Sequence, residues 1–320
     1  MKIHLPGAVE ATCQWDEEQS ASMVERLPRI VRRLVATCGT ERCYEHVSSA
    51  PLPKRQAVVE IVNLGRRIIF PGYFEDGPLD RVNLEYHLGQ ETVRLYELLA
   101  EQISRAVRHE CLRQDLECTH CRQRGDEAAY WFIEQLPALR ELLAEDVRAA
   151  LEGDPATSSP DEVIFSYPGL LAITVYRLAH ALLHLDVPML PRMMTEHAHS
   201  RTGIDIHPAA EIGRRFFMDH GTGVVIGGTA VIGDGVRVYQ GVTLGALSLP
   251  RDQVERLKSQ KRHPTIGDDV VIYAGATILG GDTVVGARSV IGGNVWLTRS
   301  VPPDTRVIMA EPELRYIGPK

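Results

Sequence analysis

The sequence predicts an α+β protein, in which an all-helical N-terminal domain precedes a prism of stacked parallel β-strands built from hexapeptide repeats. Apolar residues recur at helical spacing within the first 200 residues, and large aliphatic residues recur every six residues beyond that point. Glycine changes in abundance at the same place: nine of the 27 glycines lie in residues 1–200 and 18 lie in residues 201–320. A length of 320 residues is usual for about two domains.

Composition excludes several classes of protein. A net charge of −7 argues against a chain built mainly to hold nucleic acid. Apolar stretches are too short for a transmembrane helix, and the first residues lack the apolar region of a signal peptide. Six cysteines are too few for a disulfide scaffold and fit a reducing compartment. We therefore expect a cytoplasmic protein that binds neither nucleic acid nor membrane.

The first half predicts amphipathic helices. Arg81 to His109 carries leucine, isoleucine and valine in steps of four or seven, which form one stripe on a helix. Glu127 to Leu151 has similar spacing, and Pro137 is expected to divide it into two helices. A further helix should begin near Pro168 and stop before Pro188. Glu152 to Asp161 is rich in Gly, Pro and Ser and predicts a loop.

The second half repeats with a period of six, which is neither helical spacing nor simple alternation. Glycine often follows the aliphatic residue directly, so each unit predicts a short strand and a corner. Three units close a triangular coil of about 18 residues, and successive coils stack as parallel strands. Residues 206–301 without 249–265 make between four and five coils. The repeated positions are Ile206, Ile212, Met218, Ile226, Ile232, Val238, Leu244, Ile266, Ile272, Ile278, Val285, Ile291 and Leu297.

Interruptions of the period predict where function lies. Met218 to Ile226 spans eight residues and Ile278 to Val285 spans seven, so extra residues must bulge at corners. The first bulge contains the sequence DHGTG. A longer interruption, SLPRDQVERLKSQKRHP, should project as a loop with a helix-like segment at 252–260.

Four segments together resemble one enzyme family. They are DIHPAAEIG from Asp205, DHGTGVVIG from Asp219, YQGVTLGA from Tyr239 and RHPTIGD from Arg262. This ordered set resembles the serine O-acetyltransferases, which are left-handed parallel β-helix acyltransferases, over about residues 146–303. The resemblance implies acetyl transfer from the cosubstrate acetyl-CoA to the hydroxyl of L-serine, without a metal, as the first step of cysteine biosynthesis.

The resemblance implies a catalytic dyad, and the chemistry of the residues agrees. A serine hydroxyl becomes a good nucleophile when a neutral imidazole removes its proton, which is the role expected of His220. A carboxylate on the other ring nitrogen orients such a base, which is the role expected of Asp205. The two residues are 15 positions apart, three fewer than one coil.

Other site residues are carried over from the resemblance one position at a time. Two carboxylates would bind the substrate ammonium, and the Arg-His pair would bind its carboxylate: Asp154, Asp219, Arg262 and His263. Three small residues would line the groove for acetyl-CoA: Ala246, Ala274 and Gly293. The backbone N–H near Ala246 is a candidate donor to the oxyanion. Ala246 and Leu247 depart from the Gly and Thr that are common in the family.

The resemblance also implies partners and boundaries. Sites would form between protomers of a homotrimer or a dimer of trimers, and L-cysteine would act as a feedback inhibitor. The family's C-terminal tail ending in isoleucine does not match this chain, so a stable complex with O-acetylserine sulfhydrylase is not expected. The expected domains are residues 1–200 for helices and the loop of Asp154, 201–305 for the β-helix, and 306–320 for a short tail.

Three alternatives use the same fold. A hexapeptide acyltransferase could act on a sugar, another hydroxyl or an amine, and a scaffold could have no activity at all. A γ-type carbonic anhydrase would need three zinc-binding histidines, whereas residues 201–320 contain only His207, His220 and His263 and lack a close HxxxxH pair. Outside the repeats, CTHC (118–121) is interpreted as free thiols or a redox-labile pair, and HALLH (180–184) as packing residues.

Overall fold

The computed structural model describes residues 17–38, 45–46, 51–75, 77–117, 119–247 and 260–310. The chain separates into two compact units, residues 1–49 and residues 50–320. In the first unit the described residues include the helix α1, Glu17–Val35, with Pro28 in its interior. The second unit contains the remaining described helices and the strands.

Six helices of the second unit precede its strands. They are α2 (Arg55–Ile69), α3 (Leu84–Arg113), α4 (Cys121–Gly153), α5 (Pro160–Ser166), α6 (Pro168–His184) and α7 (Leu190–Thr202). The predicted helix over 81–109 corresponds to α3, and the predicted start at Pro168 is confirmed. None of the described helices is long and apolar enough to cross a membrane.

Two predictions in the helical half are wrong. Pro137 lies inside the single helix α4 instead of dividing it. Leu136 and Leu143 on either side are both buried, so packing along the whole helix outweighs the backbone hydrogen bond that proline cannot donate. The predicted loop at 152–161 is also shorter, because α5 begins at Pro160 with the Ser159 hydroxyl accepting the Glu162 N–H.

The repeats form a prism with three faces of parallel strands. Face 1 has the order β1-β4-β7-β10-β13, face 2 the order β11-β8-β5-β2, and face 3 the order β14-β12-β9-β6-β3. The strands are β1 Asp205–Ile206, β2 Glu211–Ile212, β3 Phe217–Asp219, β4 Val225–Ile226, β5 Val231–Ile232, β6 Arg237–Tyr239, β7 Thr243–Gly245, β8 Thr265–Ile266, β9 Val271–Ile272, β10 Thr277–Leu279, β11 Val284–Val285, β12 Val290–Ile291, β13 Trp296–Leu297 and β14 Arg306–Val307.

The aliphatic residue of each repeat stacks on its equivalent in the next coil. Ile206 is in register with Ile226, which is in register with Leu244, and all three are buried. The predicted fold class, a helical N-terminal region followed by a parallel β-solenoid of about five turns, is confirmed. The long interruption leaves the ladder intact, because β5 pairs directly with β8. Residues 248–259, which contain most of the predicted helix-like segment, lie outside the described residues.

The helices of the second unit and the prism share one buried core, and a buried ion pair connects them. The Arg177 guanidinium donates to both carboxylate oxygens of Asp146, at 2.7 and 2.9 Å, and also to the carbonyls of Ile212 and Gly213. The Phe216 N–H donates to Asp146 Oδ1 at 3.0 Å. This network fixes α4 and α6 against the first coil. The composition change near residue 200 coincides with the end of α7 and the start of β1.

Candidate active site

The first bulge lies at the corner between faces 3 and 1, here called the His220 corner (residues 219–223, 239–241, 273–275 and 292–294). Asp219 is in register with Tyr239, and the Gly241 N–H donates to the Thr222 carbonyl. His220 and Gly221 are therefore the two extra residues of this coil. His220 has φ +57°, and the Gly221 N–H closes a tight turn by donating to the Asp219 carbonyl at 2.6 Å. The turn projects the His220 side chain from the prism.

The His220 ring lies beside acidic groups. Its side chain is 73% exposed, and Nδ1 is 3.8 Å from Asp219 Oδ1. The Asp154 carboxylate, at the end of α4, lies close enough to His220 for the two side chains to interact electrostatically. The structure therefore brings together three of the predicted site residues, one imidazole and two carboxylates.

Asp154 is held by Tyr167, a residue that the sequence analysis missed. The Tyr167 hydroxyl donates to Asp154 Oδ2 at 2.5 Å, and the Ala156 N–H donates to Oδ1 at 2.8 Å. These bonds, the Tyr167 bond first, lower the pKa of Asp154, so its carboxylate is charged at neutral pH. Thr157 Oγ1 lies 2.6 Å from the same Tyr167 hydroxyl. No sequence signal identifies Tyr167, because its role depends on where α4 ends relative to α6.

Replacing Tyr167 by phenylalanine tests this arrangement. In the role that the family resemblance implies for Asp154, this change should raise KM for the acceptor substrate about two- to tenfold with a smaller change in kcat, because one hydrogen bond worth ~0.5–1.5 kcal/mol no longer holds Asp154. Steady-state kinetics measure the effect. Tyr73→Phe is the matched control, since the Tyr73 hydroxyl also donates to an aspartate, Asp161, at 2.6 Å. Equal effects of the two substitutions would contradict the role of Tyr167.

A second set of predicted residues lies at the corner between faces 1 and 2, here called the His263 corner (residues 207–209, 227–229, 246–247 and 260–264). His263 Nδ1 accepts from the Thr229 N–H at 3.1 Å and lies 2.8 Å from Thr229 Oγ1. The ring proton must therefore be on Nε2. The ring packs directly over Gly227, where a Cβ would lie about 2.0 Å from it, so only glycine fits there. The N–H groups of Arg262 and His263 donate to Thr229 Oγ1.

Burial and the nearby charge of Arg262 lower the pKa of His263 to about 4. The imidazole is therefore a neutral hydrogen-bond donor at neutral pH, not a cation. Burial, followed by the charge of Arg192, also lowers the pKa of His207, whose ring packs over Gly228 in the same way. The positive charge at this corner is thus carried by Arg262 and Lys261, and the Lys261 ammonium donates to the Thr229 carbonyl.

The depressed pKa of His263 predicts a pH dependence of stability. As pH falls below the ordinary value of 6.5, the unfolded chain binds a proton at this residue that the folded chain does not bind until about pH 4. The free energy of unfolding should therefore fall across this window. His263→Asn keeps an acceptor near Nδ1 and cannot titrate, so its urea midpoint should depend less on pH. Histidine NMR titration of the wild-type protein should show one ring with an apparent pKa near 4; ordinary titration of every ring would contradict the assignment.

Asp205 lies on β1, in register with Val225 on face 1. Within the described residues, no hydrogen bond or ion pair joins Asp205 to His220. Its carboxylate lies close to Glu196 and His199 of α7, with one ligand atom of each within 4.8 Å of the others. Within the single chain, the two residues of the predicted dyad therefore make no direct contact.

The three predicted groove residues are divided between the two corners. Ala274 and Gly293 stack at the His220 corner, where the Asn294 N–H donates to the Ala274 carbonyl. Ala246 follows β7 at the His263 corner. The His220 corner therefore holds the acidic residues and two groove residues, and the His263 corner holds the basic residues and the third. Face 1 lies between them.

The two motifs outside the prism contain none of the predicted site residues. Cys121 is disulfide-bonded, and Cys118 lies outside the described residues. His180 Nδ1 lies 2.8 Å from the Pro208 carbonyl, and its ring packs against Tyr176, in keeping with the predicted packing role.

Comparison with known proteins identifies relatives of this arrangement. No family model matches the chain. The chain is 50% identical over 265 residues to a plasmid-encoded serine acetyltransferase of Synechococcus elongatus, covering 82% of this chain and 83% of that protein. It is 47% identical over 163 residues to a serine acetyltransferase of Mycobacterium tuberculosis, covering 51% of this chain and 67% of the relative.

Solved structures agree with the sequence relatives. Serine acetyltransferase isoform 3 of Entamoeba histolytica, in complex with cysteine, superposes with a TM-score of 0.69 at 33% identity, covering 93% of this chain and 96% of that chain. The Neisseria gonorrhoeae serine acetyltransferase in complex with serine has a TM-score of 0.52 at 25% identity, covering 80% and 95%. With half of its residues identical over most of both chains to the Synechococcus protein, this chain belongs to the serine acetyltransferase family.

Proposed function

We propose that the protein transfers the acetyl group of acetyl-CoA to the hydroxyl of L-serine, giving O-acetyl-L-serine and CoA, the first step of cysteine biosynthesis. The observation that carries the proposal is the turn that presents His220 beside Asp219 and Asp154. A base flanked by two carboxylates suits an acceptor whose ammonium group lies next to its hydroxyl. Relatives with serine or cysteine bound support this acceptor.

The proposed mechanism is direct attack within a ternary complex. Neutral His220 takes the proton from the serine hydroxyl as its oxygen attacks the thioester carbon, and it then gives the proton to the departing CoA thiolate. Asp205 would orient the ring and stabilise the imidazolium. The backbone N–H near Ala246 would donate to the oxyanion of the tetrahedral intermediate. The proton thus passes from the serine hydroxyl to the CoA thiol, His220 ends neutral again, and direct attack forms no covalent enzyme intermediate.

The acceptor would be recognised by charge at both ends. Asp154 and Asp219 would bind its ammonium group, and Arg262 would bind its carboxylate with a bidentate guanidinium. His263, a neutral donor through Nε2–H, would add a hydrogen bond without adding charge. L-Cysteine carries the same ammonium and carboxylate, so we infer that it competes for this site as a feedback inhibitor.

The division of these groups between two corners supports a shared site. The His220 corner supplies the base and the ammonium contacts, and the His263 corner supplies the carboxylate contacts. Two copies that pack with unlike corners together would unite both sets and would also bring Ala246 opposite Ala274 and Gly293 as the two walls of an acetyl-CoA groove. We therefore infer a homotrimer, alone or as a dimer of trimers, as the active form.

The acceptor is tested by release of CoA thiol from acetyl-CoA. L-Serine should give the highest kcat/KM among L-serine, L-threonine, L-homoserine and a panel of sugars. A sugar preferred over L-serine would favour the alternative of another hexapeptide acyltransferase. Zinc bound in stoichiometric amount together with carbonic anhydrase activity would favour the γ-type alternative. Thiol release with none of the acceptors would favour a scaffold.

Arg262 provides a sharper test of substrate orientation. Arg262→Gln should raise KM for L-serine at least about tenfold and change KM for acetyl-CoA little, because a charge-assisted contact worth ~1.5–3 kcal/mol is lost from the acceptor alone. Arg288→Gln is the matched control, since Arg288 lies at the third corner and pairs with Asp304. An effect confined to acetyl-CoA would show that Arg262 has another role.

A further inference from the structure

The last turn of α7 and the first strand bring three potential metal ligands together. Glu196 and His199 are three residues apart on the helix, with Oε2 and Nδ1 separated by 3.6 Å. Gly203 ends the helix in the left-handed region, with its N–H donating to the His199 carbonyl, and so turns the chain back. Asp205 consequently returns beside this turn, and one ligand atom from each side chain lies within 4.8 Å of the others.

The donor set is mixed, which distinguishes it from a simple acidic patch. Two carboxylates and one imidazole are a ligand set that Zn²⁺ accepts, and the Glu-x-x-His spacing on a helix is used in metal proteins. A tetrahedral Zn²⁺ would need donor separations of about 3.3 Å. Glu196 is exposed and His199 partly exposed, so side-chain rotation can bring their atoms inward.

One carboxylate of the cluster is paired with an arginine, and the other has no hydrogen-bond donor among the described residues. Arg192 pairs with Glu196 at 2.5 Å on the solvent side. In the described part of the chain, the Asp205 carboxylate accepts no hydrogen bond, although it lies close to a second carboxylate. A metal ion that bound both carboxylates and the imidazole would replace Arg192 as the partner of Glu196 and would give the Asp205 carboxylate a ligand contact.

We propose that Glu196, His199 and Asp205 form a binding site for a divalent transition-metal ion, with Zn²⁺ as the expected ion, and that its occupation inhibits the enzyme. The inhibitory consequence rests on the proposed function, in which Asp205 must be free to orient His220. A bound ion would hold the Asp205 carboxylate against α7. The site is thus a place where metal availability would regulate acetyl transfer, without any part for the metal in the reaction itself.

Binding is tested on the full chain with Zn²⁺ by isothermal titration, with Mg²⁺ as a comparison. The wild-type protein should bind Zn²⁺ in preference to Mg²⁺, and His199→Ala and Glu196→Gln should each weaken Zn²⁺ binding at least about tenfold. His184→Ala is the matched control. His184 is an exposed helical histidine whose Nε2 lies 3.0 Å from Nε2 of His180, so these two nitrogens are another place where Zn²⁺ could bind. Circular dichroism checks that each variant is folded.

The outcomes separate the site from its consequence. Equal Zn²⁺ binding by His199→Ala and wild type, or loss of binding in His184→Ala, would overturn the site whatever the enzyme's substrate is. Inhibition is followed by mass spectrometry of O-acetyl-L-serine, because free thiols bind Zn²⁺ themselves. Zn²⁺ should inhibit the wild type, a chelator should reverse the inhibition, and His199→Ala and Glu196→Gln should resist it. Binding at the site without inhibition of an active enzyme would overturn the regulatory role.

Discussion

We expect His220→Ala to lower kcat by about 10²–10⁴-fold while the protein stays folded and assembled. The loss should fall on kcat because, in the proposed mechanism, the imidazole removes the proton of the acceptor hydroxyl as the bond to the thioester carbon forms. KM for L-serine should change much less, since in the proposed site Asp154, Asp219 and Arg262 make the binding contacts. Thiol release under saturating substrates measures kcat.

Two features of the structure make this a clean experiment. The His220 side chain is 73% exposed, so its truncation leaves no cavity in the core. Its backbone φ of +57° is unfavourable for histidine and alanine alike, so the substitution should leave the turn intact. His184→Ala removes another exposed histidine and should keep wild-type turnover. Unchanged turnover in His220→Ala would remove the proposed mechanism.

We expect Asp146→Ala to lower the free energy of unfolding by about 3–5 kcal/mol. The carboxylate and the guanidinium of Arg177 are both almost fully buried, with 1% and 3% of the side chain exposed. Removal of the acid leaves a buried cation without its partner and also orphans the Phe216 N–H. Urea unfolding followed by circular dichroism measures the change, at one fixed protein concentration because assembly also contributes to stability.

The neighbouring residue supplies the control for this prediction. Glu145 also pairs with an arginine, Arg214, but that arginine is 58% exposed. Solvent screens such a pair, so Glu145→Ala should cost much less stability than Asp146→Ala. If the two substitutions destabilise the protein equally, burial of the Asp146–Arg177 pair is not what makes it important. The activity of folded Asp146→Ala would show whether the Asp146–Arg177 ion pair also positions Asp154, which lies at the end of the same helix.

Local spacing made much of the fold predictable. Large aliphatic residues that recur every six positions, often next to glycine, predict a coil in which each of their side chains points inward. Ile206, Ile226 and Leu244 are stacked and buried, as this prediction requires. The prediction of a break at Pro137 was wrong because burial of Leu136 and Leu143 depends on partners distant in sequence. The low helix propensity of proline is a local free-energy cost. The packing of α4 offsets it, because the stabilisation from packing is the sum of many contacts with residues distant in sequence.

In the candidate active site, too, local features were predictable from the sequence and long-range contacts were not. The bulge at His220 was visible as a break in the repeat, since two extra residues cannot be accommodated within a coil. The bonds of Tyr167 to Asp154 and of Thr229 to His263 were not visible, because each joins segments whose separation in sequence carries no period.

The period of six was enough to predict the prism, its corners and the residues that lie at them, because each position of the repeat has a defined direction. Which residues the helices bring to those corners depends on how α4 and α7 pack against the first coil. The tertiary structure sets Asp154, at the end of α4, beside the turn that carries His220, and it sets Asp205 beside His199 of α7. The physical reason is that these contacts depend on how helices end and dock against the first coil, and docking is a property of the packed core rather than of any local pattern.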